Sequence, residues 1–313
     1  MSSRLHGSSL DLASGSFGRS VCVVALPAHG RGTDLQVRIS VPLLGSELPT
    51  IVFSHGNGQS LHGYAPLIDH WVDAGFIVLQ PTHLDSRELA VAPDDPRRPS
   101  MWRFRQEDVL RILDNLSNLE AAMPQLRGRF DPDRIAVAGH SWGGQTVSTM
   151  LGATHPDPDD GSLVRRKDER IRAGVLLSTP GSGGRNLNAR AALAFPFMHP
   201  DFSGMTTTAL VVVGDKANGG MTWRGPDWWR EVYDLSPSPK ALLTLSGGEH
   251  SLGGIAGYEA RETTDERPER VAAVRSLSAA FLRSALNADD PSWRDALAQL
   301  AAATNPEGYV ETK

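Results

Sequence analysis

Residues 134–149 constrain this chain more than any other stretch. A short apolar run, Ile135-Ala136-Val137-Ala138, breaks into Gly139-His140-Ser141-Trp142-Gly143-Gly144 and then runs on into a helix-compatible segment. In such a strand–turn–helix, a Gly-x-Ser-x-Gly sequence forces the serine onto a strained bend with its hydroxyl standing above the sheet. Small residues on either side let the strand and helix backbones pass closely. A short pattern like this also arises by chance as a plain Gly-rich turn. The strand before it, the helix after it and the second glycine argue against chance. Ser141 is the candidate nucleophile.

The rest of the chain alternates in a compatible way. Residues 20–25 and 35–41 read as strands paired antiparallel at an edge, joined across a Gly-rich turn at 29–32. The continuous apolar runs at 50–53, 76–79, 173–177, 208–213 and 241–245 suit strands covered on both faces, as does the run before Ser141. Helical spacing marks 61–74 and a long stripe within 101–126 (Val109, Ile112, Leu113, Leu116, Leu119). A final core helix starts with Pro268 in its first turn and turns Val271, Val274, Leu277 and Phe281 inward, and Trp293 and Leu297 indicate one short helix beyond it. Residues 155–172 read as a polar surface loop. Residues 181–204, with Phe195, Phe197 and Met198, read equally as a lid, a pocket wall or an ordinary packed loop. Strands too apolar to face solvent, alternating with helices, imply an α/β architecture: a mostly parallel sheet with helices on both faces.

With 313 residues, a single domain is expected, with a core of about 20–288 and extensions at 1–19 and 289–313. A net charge of −5 with 21% charged residues gives no reason to expect nucleic acid as a partner. No apolar run is long enough to span a bilayer, and the Ser- and Gly-rich residues 1–20 lack the basic and apolar regions of a secretory signal, so a cytoplasmic protein is expected. Cys22 is the single cysteine, which excludes an internal disulfide and a Cys-based zinc cluster. In Val21-Cys22-Val23-Val24 it reads as a buried strand thiol.

In an open parallel sheet, chemistry gathers at the carboxyl ends of the strands. A serine nucleophile needs a base, and His250 follows the last apolar strand in Gly247-Gly248-Glu249-His250. It is the only one of ten histidines beyond residue 213; His55 and His140 sit in motifs that position backbone, and the others all precede that strand. No histidine forms an H-E-x-x-H pair or another recognisable metal spacing, so neither metal nor cofactor is expected. Attack on a carbonyl creates an oxyanion that needs fixed N–H donors. Trp142, following the nucleophile, and Asn57, in Ser54-His55-Gly56-Asn57-Gly58 after the third strand, are the candidates. The latter loop lacks the third glycine of a dinucleotide fingerprint and a P-loop lysine.

Phe53-Ser54-His55-Gly56-Asn57-Gly58, Gly139-His140-Ser141-Trp142-Gly143-Gly144 and Gly248-Glu249-His250 together resemble the α/β-hydrolases related to platelet-activating-factor acetylhydrolase, chlorophyllase and the polyester hydrolases. The resemblance runs from about residue 21 to 286. It implies the α/β-hydrolase fold with a mostly parallel eight-stranded sheet, and a cofactor-free serine esterase acting on a small-molecule carboxylic ester, with Asn57 and Trp142 at the oxyanion-hole positions. In that family the acid lies a few residues past the glycine ending the seventh strand, where this chain has Ala217 and Asn218. Asp215 is close by and reads equally as the third member of a triad with Ser141 and His250 or as a turn cap. Trp102, Trp142, Trp223, Trp228 and Trp229 are candidates for either an apolar pocket or plain core. An acyltransferase, lactonase or cyclase would use the same acyl-enzyme, and a non-catalytic binding protein would tolerate the drift of the acid.

Overall fold

The computed structural model describes residues 18–218, 220–257 and 263–313, so most of the expected N-terminal extension lies outside it. Among these residues the chain runs β1 (Arg19–Leu26), β2 (Leu35–Pro42), β3 (Leu48–Ser54), α1 (Ala65–Asp73), β4 (Ile77–Pro81), α2 (Met101–Asp114), α3 (Leu116–Ala122), β5 (Phe130–His140) and α4 (Trp142–Met150). It continues through β6 (Thr154–Pro156), β7 (Leu163–Arg165), β8 (Ile171–Leu177), α5 (Ala189–Ala194), β9 (Thr208–Gly214), α6 (Asp227–Asp234), β10 (Lys240–Leu245), α7 (Pro268–Leu286), α8 (Ser292–Ala302) and β11 (Gly308–Thr312). The main sheet has the order β1-β2-β4-β3-β5-β8-β9-β10-β11. Strands β4, β3, β5, β8, β9 and β10 are mutually parallel, while β1, β2 and β11 pair antiparallel at the two edges. This is the α/β-hydrolase fold, with nine strands rather than eight.

The ninth strand is β11, beyond the expected C-terminal helix. It adds to β10 with Leu243 opposite Val310, so the C-terminal segment closes the sheet's edge. Other corrections are local. The stripe at 101–126 is two helices broken at Asn115, and it reads as one because the apolar spacing carries on across the break. The expected surface loop at 155–172 contains a small hairpin of β6 and β7. Cys22 is half-buried, because β1 is an edge strand whose residues alternate between exposed and half-buried.

Period-two alternation splits the apolar strands between the sheet's faces. Ile51, Phe53, Ala136, Ala138, Val175 and Leu210 pack with α1 and α7 on one side. Val52, Val137, Leu176 and Val211 pack with α2, α4 and α6 on the other. Strand β3 continues to β4 on one side, whereas β5 continues to β8 on the opposite side. The carboxyl ends of β3 and β5 therefore flank the point where strand order reverses, and open sheets of this kind leave a crevice there. Among the described residues, no helix is long and apolar enough to cross a membrane.

Candidate active site

Ser141 lies at that reversal, between β5 and α4, with φ 55° and ψ −121°. A non-glycine residue there is strained and is held only because its surroundings over-determine it. They do. The Ser141 N–H donates to the Leu177 carbonyl at 2.9 Å, and its carbonyl accepts from Gln145 N–H at 3.1 Å. A Cβ on Gly139 would run into the Gly143 carbonyl, and one on Gly143 into the Ser54 carbonyl of β3. Both glycines are needed because backbone, which cannot swing aside, fills the space.

The structure brings His250 to Ser141, with Nε2 3.0 Å from Oγ. The loop that presents it is tied down on both sides. The Asp265 carboxylate accepts the N–H groups of Glu249 at 2.8 Å and Gly253 at 3.0 Å. The His250 carbonyl accepts from His140 Nε2 at 3.0 Å. Because a carbonyl can only accept, His140 carries its proton on Nε2, and its Nδ1 accepts the Tyr64 hydroxyl at 2.9 Å. The Tyr64 oxygen in turn accepts the Gly56 N–H at 3.0 Å. One ordered chain of hydrogen bonds thus ties the loop after β3 to the loop after β10 through the residue preceding Ser141.

Asp215 is not brought to His250. Its Oδ1 accepts the Gly247 N–H at 2.8 Å, which makes it the cap of the turn leading to His250. Ala217 is buried in the core with Trp228 and Trp229. Among the described residues, His250 Nδ1 has no hydrogen-bond partner. Its ring is placed by packing instead, 4.7 Å from the Trp229 ring and 5.0 Å from His140. Burial, and secondarily the His140 ring, pushes the His250 pKa down to about 3. Burial likewise lowers His140 to about 4. Both imidazoles are therefore neutral at neutral pH, and His250 can accept a proton from Ser141 when its own proton sits on Nδ1.

Asn57 and Trp142 both line a cavity of about 290 Å³ that opens onto Ser141 and His250. Neither backbone N–H donates to a protein acceptor among the described residues. Phe195, Met198 and Met221 form the apolar side of this cavity, so residues 181–204 supply part of the pocket wall. Of the other tryptophans, Trp102 and Trp228 are core, and Trp223 is 69% exposed. Among the described residues, no group of His, Cys, Asp and Glu side chains converges as metal donors. Reasoning from the sequence passed over Tyr64, whose partner His140 lies 76 residues away, and Asp265, which holds N–H groups 16 and 12 residues upstream across a turn whose shape the sequence does not display. Glycines at 247, 248 and 253 around His250 were the available sign of a tightly tied loop.

No protein-family model matches the chain. Over 167 residues it is 26% identical to platelet-activating factor acetylhydrolase of Cavia porcellus, covering 42% of this chain and 35% of that protein. The protein of the same name from Bos taurus is 27% identical over 170 residues, with the same coverage. The match spans about a third of the length of these curated relatives.

Proposed function

We propose, from the chain's distant homology to platelet-activating factor acetylhydrolase and its α/β-hydrolase fold, that it is a serine hydrolase cleaving small carboxylic esters through an acyl-enzyme on Ser141. The observation that carries this reading is the 3.0 Å contact between Ser141 Oγ and His250 Nε2, made by a serine held at φ 55° on the cavity wall. Ser141 gives its proton to His250 Nε2 as Oγ attacks the ester carbonyl. The N–H groups of Asn57 and Trp142 receive the oxyanion, each worth about a hundred- to thousand-fold in rate. The tetrahedral adduct expels the alcohol, which takes the proton from His250, and water then repeats the cycle on the acyl-enzyme. Among the described residues no group bonds Nδ1, and the imidazolium formed during attack has the Trp229 indole, with ring centroids 4.7 Å apart, as its aromatic neighbour. A cavity at the low end of the range for small-molecule sites suits an ester of modest size. Acyl transfer, lactone hydrolysis or cyclisation would use the same acyl-enzyme and differ only in what resolves it.

A second reading, a non-catalytic binding protein on this fold, is favoured by one observation, that His250 Nδ1 has no hydrogen-bond partner among the described residues. A fluorophosphonate probe separates the two. The folded protein is expected to label at Ser141, and Ser141→Ala to abolish labelling. A folded protein that resists the probe, or labels equally after Ser141→Ala, removes the hydrolase reading.

A further inference from the structure

The loop after β3 is held by a guanidinium that reaches it from α2. Arg105 is fully buried. Its Nη1 donates to the His55 carbonyl at 2.8 Å and its Nη2 to the Gly56 carbonyl at 3.1 Å. Nε and Nη2 also make a bidentate pair with Asp85, at 2.7 and 2.8 Å, and Asp85 accepts the Gly58 N–H at 3.0 Å. The Gly56 carbonyl also accepts His55 Nδ1–H at 2.7 Å and the Gln59 N–H at 3.2 Å, while His55 Nε2 accepts the His83 N–H at 3.0 Å. Burial and then the charge of Arg105 hold the His55 pKa well below its ordinary value, so this imidazole is neutral with its proton on Nδ1.

The Gly56 carbonyl and the Asn57 N–H belong to one peptide unit. In a planar trans peptide the two point in opposite directions, and rotating the unit as a whole is the only way to redirect either. Drawing the Gly56 oxygen inward onto Arg105 and His55 therefore drives the Asn57 N–H outward, to the side that lines the cavity. The Gln59 N–H closes a turn within the loop onto the same carbonyl at 3.2 Å, but with Gly56 and Gly58 on either side this one longer bond resists a flip weakly, and the fixed donors come from Arg105 and His55. The same guanidinium lies over the Trp142 ring, 4.5 Å from its centroid, and so meets one donor residue and the peptide unit whose N–H is the other donor.

We infer that Arg105 is a positioning residue for catalysis: it fixes the Gly56–Asn57 peptide in the orientation that makes the Asn57 N–H an oxyanion donor, with Asp85 neutralising the buried guanidinium and tying down the loop's far end. This rests on the serine-hydrolase reading and names what pre-forms its oxyanion hole. Because the donor acts on charge that develops only in the transition state, losing its orientation lowers kcat and leaves KM nearly unchanged. A purely structural role for a buried ion pair predicts something else. Removing one partner strands a buried charge and destabilises the protein, while removing both largely restores stability and, with it, activity.

The test uses the full chain and a chromogenic short-chain ester, with Ser141→Ala as reference. The double variant Arg105→Met with Asp85→Asn removes the charges together. It is expected to melt near the wild type and keep KM within about threefold, yet to lose about a hundredfold in kcat, as when one oxyanion donor is removed. Arg105→Lys keeps a charge beside Asp85 but has one nitrogen where two carbonyls need fixed donors, and is expected to lose at least about tenfold in kcat at unchanged KM. A double variant that retains wild-type kcat overturns the inference. So does an Arg105→Lys protein with wild-type kcat, which decides the matter even where the double variant does not fold. If wild-type turnover survives Ser141→Ala, the hydrolase reading itself fails and the inference falls with it. If turnover depends on Ser141 but is indifferent to Arg105, the inference alone fails.

Discussion

Asp215→Asn separates a triad from what the geometry describes. In a working triad the carboxylate fixes the tautomer of the histidine and faces its imidazolium, and replacement by asparagine costs about ten-thousand-fold in turnover, about 5 kcal/mol in barrier. Here Asp215 spends Oδ1 on the Gly247 N–H at 2.8 Å and makes no hydrogen bond to His250. An asparagine side-chain oxygen can accept that same N–H. What is lost is the charge assistance of one partly exposed hydrogen bond, about 1 kcal/mol of stability. Felt two residues upstream of the loop that carries His250, that loss should change kcat/KM by no more than about threefold and the melting temperature by a few degrees at most. The assay is kcat/KM on a chromogenic ester near neutral pH, paired with a thermal melt. A thousandfold loss in kcat/KM at an unchanged melting temperature would refute the reasoning and return Asp215 to the role of acid.

Gly143→Ala should be severe, because its Cβ meets the Ser54 carbonyl of β3 and no flexible side chain can yield. A loss of about 3 kcal/mol, measured by urea unfolding, is expected, and a variant as stable as the wild type would show that the elbow and β3 can separate freely. Acid sensitivity follows from His140. Its folded value of about 4 lies below the ordinary 6.5, so the unfolded chain takes up the proton first. Stability is complete above about pH 6.5 and is lost as pH falls toward 4, by about 3 kcal/mol from this residue alone. Unfolding curves across that window should slope accordingly and become shallower in His140→Gln, the slope that remains coming from other buried histidines such as His250 and His55, and an equal slope in the variant would contradict the assignment.

Much of the fold was legible because its strands are covered on both faces and read as continuous apolar runs. All six strands read this way are present, as are the two read as an antiparallel edge pair, with boundaries shifted by a few residues. The ninth, Gly308-Tyr309-Val310-Glu311-Thr312, carries no such run. It sits at an edge, and its place comes from backbone bonds to β10 rather than from burial of its own side chains. Asn115 illustrates the converse failure, since an apolar stripe records which face is buried and not whether the helix beneath it is continuous.

At the site the division is sharper. The sequence by itself determined the elbow, because its strain and its glycines are local. It also picked out His250, because the order of elements along the chain leaves it alone after the last parallel strand. Whether Asp215 reaches that histidine was open, since at a strand end one residue of register decides between a side chain aimed at the cavity and one aimed at a turn. Only the tertiary structure decided that it caps Gly247, that Tyr64 and His140 join the loops after β3 and β10, and that Arg105 grips the Gly56 carbonyl. Local conformation is set by neighbours in the chain, which a sequence displays. A hydrogen bond between residues 49 or 110 positions apart exists only because packing brings its ends together, and the residue types alone leave many equivalent partners open.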